Sequence, residues 1–306
     1  MSIYYRYFHR KARAWLSHVS VAALCLASSY LMLAPSPVMA EKVVEIPPED
    51  VVVTTPVYHP QFGKIEYPLG TYKYTVSWQG IPAADAAITV NQEGLFYRIK
   101  AVAKTYSGID LFYKLRYAAA GKISMVDFLP VETVIDHQEN SKKKKVDIRY
   151  LENGDISAVR SQAGKNTKSI TFDPKNFTLE PISAGFIARG LYWNVGKKIT
   201  LDTFNGKTRY LVHLECVDRK TIEVNDEERD VWVISPSVQK LTTTEKDSKL
   251  RTAYIYLTAD KYREVLQIDS EVFIGTVKTK LDSFEPLPQG AGTQVVAQAK
   301  SYKLQF

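Results

Sequence analysis

Apolar and polar residues alternate with a period of two through most of residues 67–284. In the first clear run, Tyr72, Tyr74 and Val76 alternate with lysine, threonine and serine, which is typical of a strand with one buried and one solvated face. Runs of this kind recur about fifteen times along the chain. Because a sheet of so many strands tends to curl or close, the pattern predicts an all-β fold, a large antiparallel meander closed into a barrel or a rolled sheet.

Short polar turns separate these runs and indicate that consecutive strands pair as antiparallel neighbours. Asn153-Gly154 and Asn205-Gly206 are the clearest turns, because asparagine and glycine tolerate the positive φ of a tight hairpin. Residues 111–117 also alternate, and we predict a strand that begins at Leu111.

Only residues 182–192 break this rhythm. Ile182 and Phe186 recur at helical spacing, and Ser183 is a candidate N-cap residue. The pattern therefore predicts one short helix near residues 182–192, between two β-rich halves.

The first forty residues have the order of an export signal. Four basic residues precede an uncharged run at 14–40, which contains two prolines and ends in the small-residue cleavage pattern Val38-Met39-Ala40. We expect cleavage after Ala40 and a periplasmic protein; an uncleaved anchor is the alternative, because the run is long enough to span a bilayer. The remaining chain divides into an extended proline-containing lead-in at 41–66, an antiparallel β domain at 67–285 and a linker-like tail at 286–306.

Removal of this leader changes the charge and the cysteine content. Residues 1–40 carry four basic and no acidic residues, so the net charge falls from +7 to +3, too modest to favour nucleic-acid binding. Cys216 becomes the only cysteine, which excludes an intramolecular disulfide. Its strand neighbours Tyr210, Val212 and Leu214 predict a small buried hydrophobe and not a thiol nucleophile.

The motifs of known chemistry fail on inspection, so we predict no catalytic residue, no metal site and no cofactor. Gly206-Lys207-Thr208 resembles the end of a phosphate-binding loop, but the glycine required five positions earlier is Leu201. His59, His137 and His213 lack metal-ligand spacing. A hydrolase acting on envelope polymers remains an alternative, and it would need two carboxylates at a working separation in one cleft.

The strongest basic run is Lys142, Lys143, Lys144 and Lys145, which we place in the link before the strand at 146–150. A solvated hairpin is one interpretation. Contact with a membrane surface through anionic lipid headgroups, or with polyanionic envelope polymers, is the other.

Aromatic residues are numerous, with 19 Tyr, 12 Phe and 4 Trp. Most are expected in the core, but a rolled sheet with an aromatic concave face would leave an apolar cleft for a lipid or similar ligand. The candidate ligand-binding residues are Tyr72, Tyr74, Trp78, Tyr97, Tyr113 and Tyr117.

Four segments together resemble an exported bacterial family catalogued as domain of unknown function 3108. They are residues 72–80 (YKYTVSWQG), 107–113 (SGIDLFY), Phe128-Leu129-Pro130 and 254–260 (YIYLTAD). The resemblance covers roughly residues 67–284, and Tyr256 stands where many relatives have tryptophan. It implies a periplasmic antiparallel β protein without established catalytic residues.

These observations predict a non-enzymatic periplasmic protein that binds an apolar, lipid-like envelope ligand or a partner protein. An integral outer-membrane β-barrel is the main alternative, because residues 302–306 resemble the aromatic-terminated last strand of such barrels. The proline- and glycine-containing break at 286–292 and the central helix argue against it.

Overall fold

The computed structural model describes residues 66–241, 252–271 and 275–288. The predicted export signal, the lead-in up to residue 65 and the tail from residue 289 lie outside these ranges, and so does the chain ending on which the outer-membrane alternative depends.

Fifteen strands and two helices make up the regular structure of the described residues. The first half contains β1 (Gly70–Trp78), β2 (Ile81–Glu93), β3 (Phe96–Thr105), α1 (Ser107–Asp110), β4 (Leu115–Ser124), β5 (Pro130–Glu139), β6 (Lys142–Tyr150), β7 (Ile156–Gln162) and β8 (Lys168–Phe172). The second half contains β9 (Thr178–Leu179), α2 (Pro181–Gly190), β10 (Lys198–Phe204), β11 (Arg209–Val224), β12 (Glu227–Lys240), β13 (Ala253–Thr258), β14 (Val265–Glu271) and β15 (Thr276–Pro286).

All fifteen strands of the described residues belong to one sheet, in which consecutive strands pair except β8 with β9, and β1 also pairs with β15. The first and last strands therefore meet inside the sheet, and its edges, β8 and β9, are consecutive in sequence. The pairs are antiparallel except β9 with β10. This confirms the predicted all-β antiparallel meander in its rolled form, because no strand pairing joins β8 to β9 among the described residues.

The period of two in the sequence corresponds to the two faces of this sheet. In β1, Tyr72, Tyr74 and Val76 are buried, whereas Lys73 between them is exposed. In β4, Leu115 and Tyr117 are buried on the same concave face. The concave face therefore forms the core, and the outer face carries the charged residues.

Helix α2 covers the concave face. Eight of its ten residues are buried, as expected for a helix that contacts protein on nearly every side. Ile182 and Phe186 belong to the larger of two core clusters, which draws on strands of both halves, whereas Ala184 and Ile187 belong to the smaller cluster, which lies in the second half. The helix approaches β4 closely because residue 121 is glycine: a Cβ there would lie 3.1 Å from Cγ2 of Ile182.

The start of α2 differs from the prediction. The N-cap is Glu180, whose carboxylate accepts hydrogen bonds from the backbone N–H groups of Ile182 and Ser183, both at 2.6 Å. Ser183, the predicted cap, instead donates its hydroxyl to the same carboxylate. The longer Glu180 side chain satisfies two backbone donors at once, which outweighs the usual preference for serine.

Two strand boundaries also differ from the prediction. Leu111 does not begin a strand, because residues 107–110 form α1 and the strand starts only at Leu115. The lysine run lies within β6 and not in a link, since Lys142 pairs with Glu139 and Lys145 with Asp136. Pairing with β5 on one side and β7 on the other outweighs the low strand propensity of lysine.

Candidate functional site

The structure places the six aromatic residues predicted to bind a ligand in or against the larger core cluster. Tyr72, Tyr74, Tyr113 and Tyr117 are buried, and Trp78 and Tyr97 pack against them while partly exposed. A ligand-binding role for these residues remains a prediction.

The space beside these aromatic side chains is small. A cavity of about 60 Å³ lies between α2 and the sheet, lined by Tyr72, Tyr74 and Phe186 among others. The ring of Phe186, which lines this cavity, stacks on that of Tyr67 with centroids 4.0 Å apart. A cavity of this volume holds only a few water molecules and is too small for an acyl chain.

A larger cleft, which we call the basic cleft, opens where the β10–β11 hairpin faces the concave side of β6, β7 and β8. Its volume is about 670 Å³. Of its lining residues in the described part of the chain, seven are basic and none is acidic. The basic residues are Lys144, Lys145, Arg160, Lys165, Lys168, Lys207 and Lys240.

Strand register brings these cations together. Lys144 and Val146 lie on the concave face of β6, and Arg160 of β7 pairs with Val146 on one side and with Lys168 of β8 on the other. The opposite wall begins at the Asn205-Gly206 turn, which confirms the predicted hairpin. Gly206 has φ of +84°, and a Cβ there would lie 2.3 Å from Val146, so glycine allows the hairpin to reach β6.

The cations influence one another electrostatically. Burial lowers the pKa of Lys144, and the ammonium groups of Lys142, Lys207 and Lys165 lower it further, whereas Glu139 raises it. Lysines from three separate strands and turns therefore produce a positive potential at one place. A bound anion would relieve this repulsion and restore the pKa of Lys144 toward its usual value.

Two buried titratable residues lie next to Lys144 on the concave face. His137 pairs with Lys144, and Glu139 lies one inward-facing position further along β5. Burial and the charge of Lys144 lower the pKa of His137 to about 4, and burial raises the pKa of Glu139. His137 is therefore uncharged at neutral pH and adds no positive charge to the basic cleft.

A second large groove lies on the outer face of β1 to β5, with a volume of about 830 Å³. Its floor is formed by small side chains such as Ala87 and Ala118, and its charges are mixed. Asp85 accepts a hydrogen bond from the hydroxyl of Tyr106, and Asp282 accepts one from Thr75. Among the described residues, the basic cleft thus differs from this groove in being lined by basic residues and by no acidic one.

Sequence reasoning identified Lys144 and Lys145 within the lysine run and missed the other five cations of the cleft. Arg160, Lys168 and Lys207 are isolated basic residues in three different runs, and no local pattern links them. Only the pairing of β6 with β7 and of β7 with β8, together with the position of the hairpin, joins them.

In the three described ranges, no group of three or more His, Cys, Asp or Glu residues is arranged to hold a metal ion. Cys216 is buried, and burial raises the pKa of its thiol, as expected for a core residue. No helix in these ranges has the length and apolar character needed to cross a membrane.

Comparison with solved structures supports the fold. A β-barrel-like protein of domain of unknown function DUF1849 from Brucella abortus is 9% identical, with a TM-score of 0.50 over 74% of this chain and 100% of that chain. A Bacteroides fragilis protein described as exported is 8% identical, with a TM-score of 0.32 over 74% and 99% of the two chains. The first likeness shows the fold alone, and the second is too distant to support an argument.

Comparison with curated proteins found no match. A family model does match: the protein of unknown function family DUF3108 covers residues 73–282, more than two thirds of the chain. The match confirms the resemblance seen in the sequence, and the chain belongs to the DUF3108 family.

Proposed function

We propose that the chain is an exported, non-catalytic envelope protein that binds an anionic envelope component in the basic cleft. The observation that carries the proposal is the lining of this cleft, with seven basic and no acidic residues in the described part of the chain. Phosphate and carboxylate groups are the ligands that such a set of ammonium and guanidinium groups favours. The ligand chemistry is therefore one or more phosphate or carboxylate groups, carried by a lipid or by a soluble polymer.

Location in the envelope follows from the export signal predicted at residues 1–40. The periplasm is the proposed compartment, because the outer face of the sheet is unsuited to hydrocarbon. Lys73, Lys100 and Lys104 project from the outer face of β1 and β3, and charged side chains on the lipid face of a membrane barrel are costly.

The proposal modifies the prediction of an apolar ligand. Helix α2 occupies the concave face, and the cavity of about 60 Å³ beneath it is too small for a lipid chain. If the ligand is a lipid, its anionic headgroup occupies the basic cleft and its acyl chains remain outside the roll.

The absence of catalysis is part of the proposal. A glycosidase-like hydrolase needs two carboxylates flanking one bond, about 5–10 Å apart. No acidic residue of the described ranges lines the basic cleft, and buried Glu139 behind it is a single carboxylate. The described lining of the cleft therefore offers no such pair of carboxylates, which the hydrolase alternative requires.

Isothermal titration of the exported chain with inorganic tripolyphosphate tests the proposal. We expect binding that weakens as salt rises from 20 to 200 mM, on the order of tenfold, because surface charges are increasingly screened. The variant Lys165→Ser/Lys207→Ser removes two exposed cations of the cleft and is expected to bind several-fold more weakly. Lys100→Ser/Lys104→Ser removes two exposed outer-face lysines as a matched control and leaves binding unchanged.

Equal losses in both double variants would show that only net charge matters and would refute a defined cleft. Native mass spectrometry of the protein purified from the periplasm distinguishes the two ligand sources. A lipid-sized adduct that is lost in Lys165→Ser/Lys207→Ser indicates a lipid headgroup, whereas a polymer ladder with the same dependence indicates a soluble polyanion.

A further inference from the structure

The segment at 106–114, between β3 and β4, is held rigidly at both ends. Asp110 forms an ion pair with Arg116 and accepts a 2.5 Å hydrogen bond from the hydroxyl of Thr105. Tyr113 is 1% exposed and anchors the other end in the core. The two residues between these anchors are Leu111 and Phe112.

Leu111 and Phe112 are both exposed on this fixed segment. Leu111 is 79% exposed and Phe112 is 47% exposed. Ile81, which is 60% exposed, begins β2 at the same end of the sheet. Large apolar side chains exposed together on an ordered segment indicate a surface that is covered in use.

Exposed lysines adjoin this apolar segment. Two hydrogen bonds join the backbone of Lys114 to Asn140. The backbone N–H of Asn140 donates to the carbonyl of Lys114 at 2.8 Å, and the N–H of Lys114 donates to the side-chain oxygen of Asn140 at 3.0 Å. Lys142 and Lys143 follow the turn that Asn140 begins, and both are exposed. We call Leu111, Phe112, Lys142 and Lys143 the docking rim.

We infer that the docking rim binds the surface of an anionic lipid bilayer. Leu111 and Phe112 enter the interfacial region, and Lys142 and Lys143 contact the headgroups, as in other peripheral proteins that combine an apolar contact with a basic one. This goes beyond ligand binding in the basic cleft, because none of the four rim residues lines that cleft.

Charge complementarity selects this occupant. A second copy of the chain would bring lysine against lysine. The opposite end of the sheet offers an internal comparison, because Leu95 is 66% exposed and Val126 is 76% exposed there. The charges near them are mixed, because Glu93 and Glu132 pair with Arg98 and Asp127 adjoins Val126, so that end has exposed apolar residues beside acidic as well as basic ones.

Co-sedimentation with vesicles tests the inference on the exported chain. We expect binding to phosphatidylcholine vesicles containing 30% phosphatidylglycerol and little binding to pure phosphatidylcholine. Leu111→Ser/Phe112→Ser should lower the partition coefficient about tenfold, because two apolar side chains no longer leave water. Lys142→Ser/Lys143→Ser should lower it by a similar factor, since each lysine near the surface contributes several-fold.

Leu95→Ser is the matched control and should bind vesicles as the parent does. An environment-sensitive dye on Leu111→Cys should shift to the blue on vesicle binding, whereas the same dye on Leu95→Cys should not. Equal effects of Leu111→Ser/Phe112→Ser and Leu95→Ser, or a monomer–dimer equilibrium that depends on Leu111, would overturn membrane docking. Tripolyphosphate binding that persists while vesicle binding is absent would refute the docking rim and leave the basic cleft standing.

Discussion

The connection between the two halves of the sheet depends on a buried ion pair, and substitution of Asp202 tests this. Arg209 donates to Asp202, to the carbonyl of Pro174 at 3.1 Å and to the hydroxyl of Thr178 at 3.3 Å. Both charged side chains are 2% exposed. Because Pro174 follows β8 and Thr178 begins β9, the guanidinium group contacts the chain at both edges of the rolled sheet.

Asp202→Asn leaves the Arg209 guanidinium buried without a counter-charge. Breaking a buried pair in this way costs about 3–5 kcal/mol, and the retained amide places this variant near 3 kcal/mol. Asp230→Asn is the control, because Asp230 pairs with Arg219 in a bridge whose side chains are 51% and 46% exposed. An exposed pair contributes about 0–1 kcal/mol, so the two substitutions of the same type should differ by more than twofold.

Urea unfolding, followed by circular dichroism, measures both costs. With a denaturant dependence of about 2–3 kcal/mol/M, Asp202→Asn should lower the midpoint by about 1–1.5 M and Asp230→Asn by less than about 0.5 M. In the double variant Asp202→Asn/Arg209→Met the uncompensated charge is gone, and the midpoint should partly recover. Equal shifts for Asp202→Asn and Asp230→Asn, or no recovery in the double variant, would refute the role of the pair in closing the roll.

Two further predictions concern α2 and the buried histidine. Gly121→Val should destabilise the fold by about 1–3 kcal/mol in the same urea assay, because a Cβ at this position would lie 3.1 Å from Ile182. Gly185→Ala should instead stabilise α2 by up to about 1 kcal/mol, because a Cβ there would have no atom within 4 Å. His137 has a pKa of about 4 in the folded protein, below its usual 6.5, so between these pH values the unfolded chain binds a proton that the folded chain does not. The free energy of unfolding should therefore fall as the pH drops from 6.5 to 4, by about 3 kcal/mol over the whole range. His137→Gln should remove that slope, and the raised pKa of Glu139, which acts with the opposite sign, remains in both proteins.

Period-two alternation was sufficient to predict the sheet, because burial of one face constrains every second residue of a strand. Tyr72, Tyr74 and Val76 show this directly, since all three are buried as the alternation requires. The same rule failed at residues 111–114, where the alternation predicts a strand but the chain turns between Asp110 and its ion-pair partner Arg116. A local tertiary contact of this kind leaves no trace in the apolar pattern.

The pairing of β1 with β15 lies beyond a local reading of the sequence. Nothing in the alternation specifies that Tyr74 faces Leu281, because any two half-buried strands have compatible patterns. The consequence is large, since this pairing places both sheet edges in the middle of the chain, where α2 follows β9.

The candidate site is a product of that topology. The strand that contains Lys144 and the hairpin that contains Lys207 are separated by more than fifty residues, and they meet because the sheet rolls until the β10–β11 turn reaches Val146. Taken together, the two proposals give the lysine run two roles. Lys144 lines the basic cleft, while the exposed Lys142 and Lys143 belong to the proposed docking rim, so a single strand would join the proposed ligand site to the proposed membrane contact. A ligand drawn from the bilayer at this end would reach the cleft without leaving the protein surface.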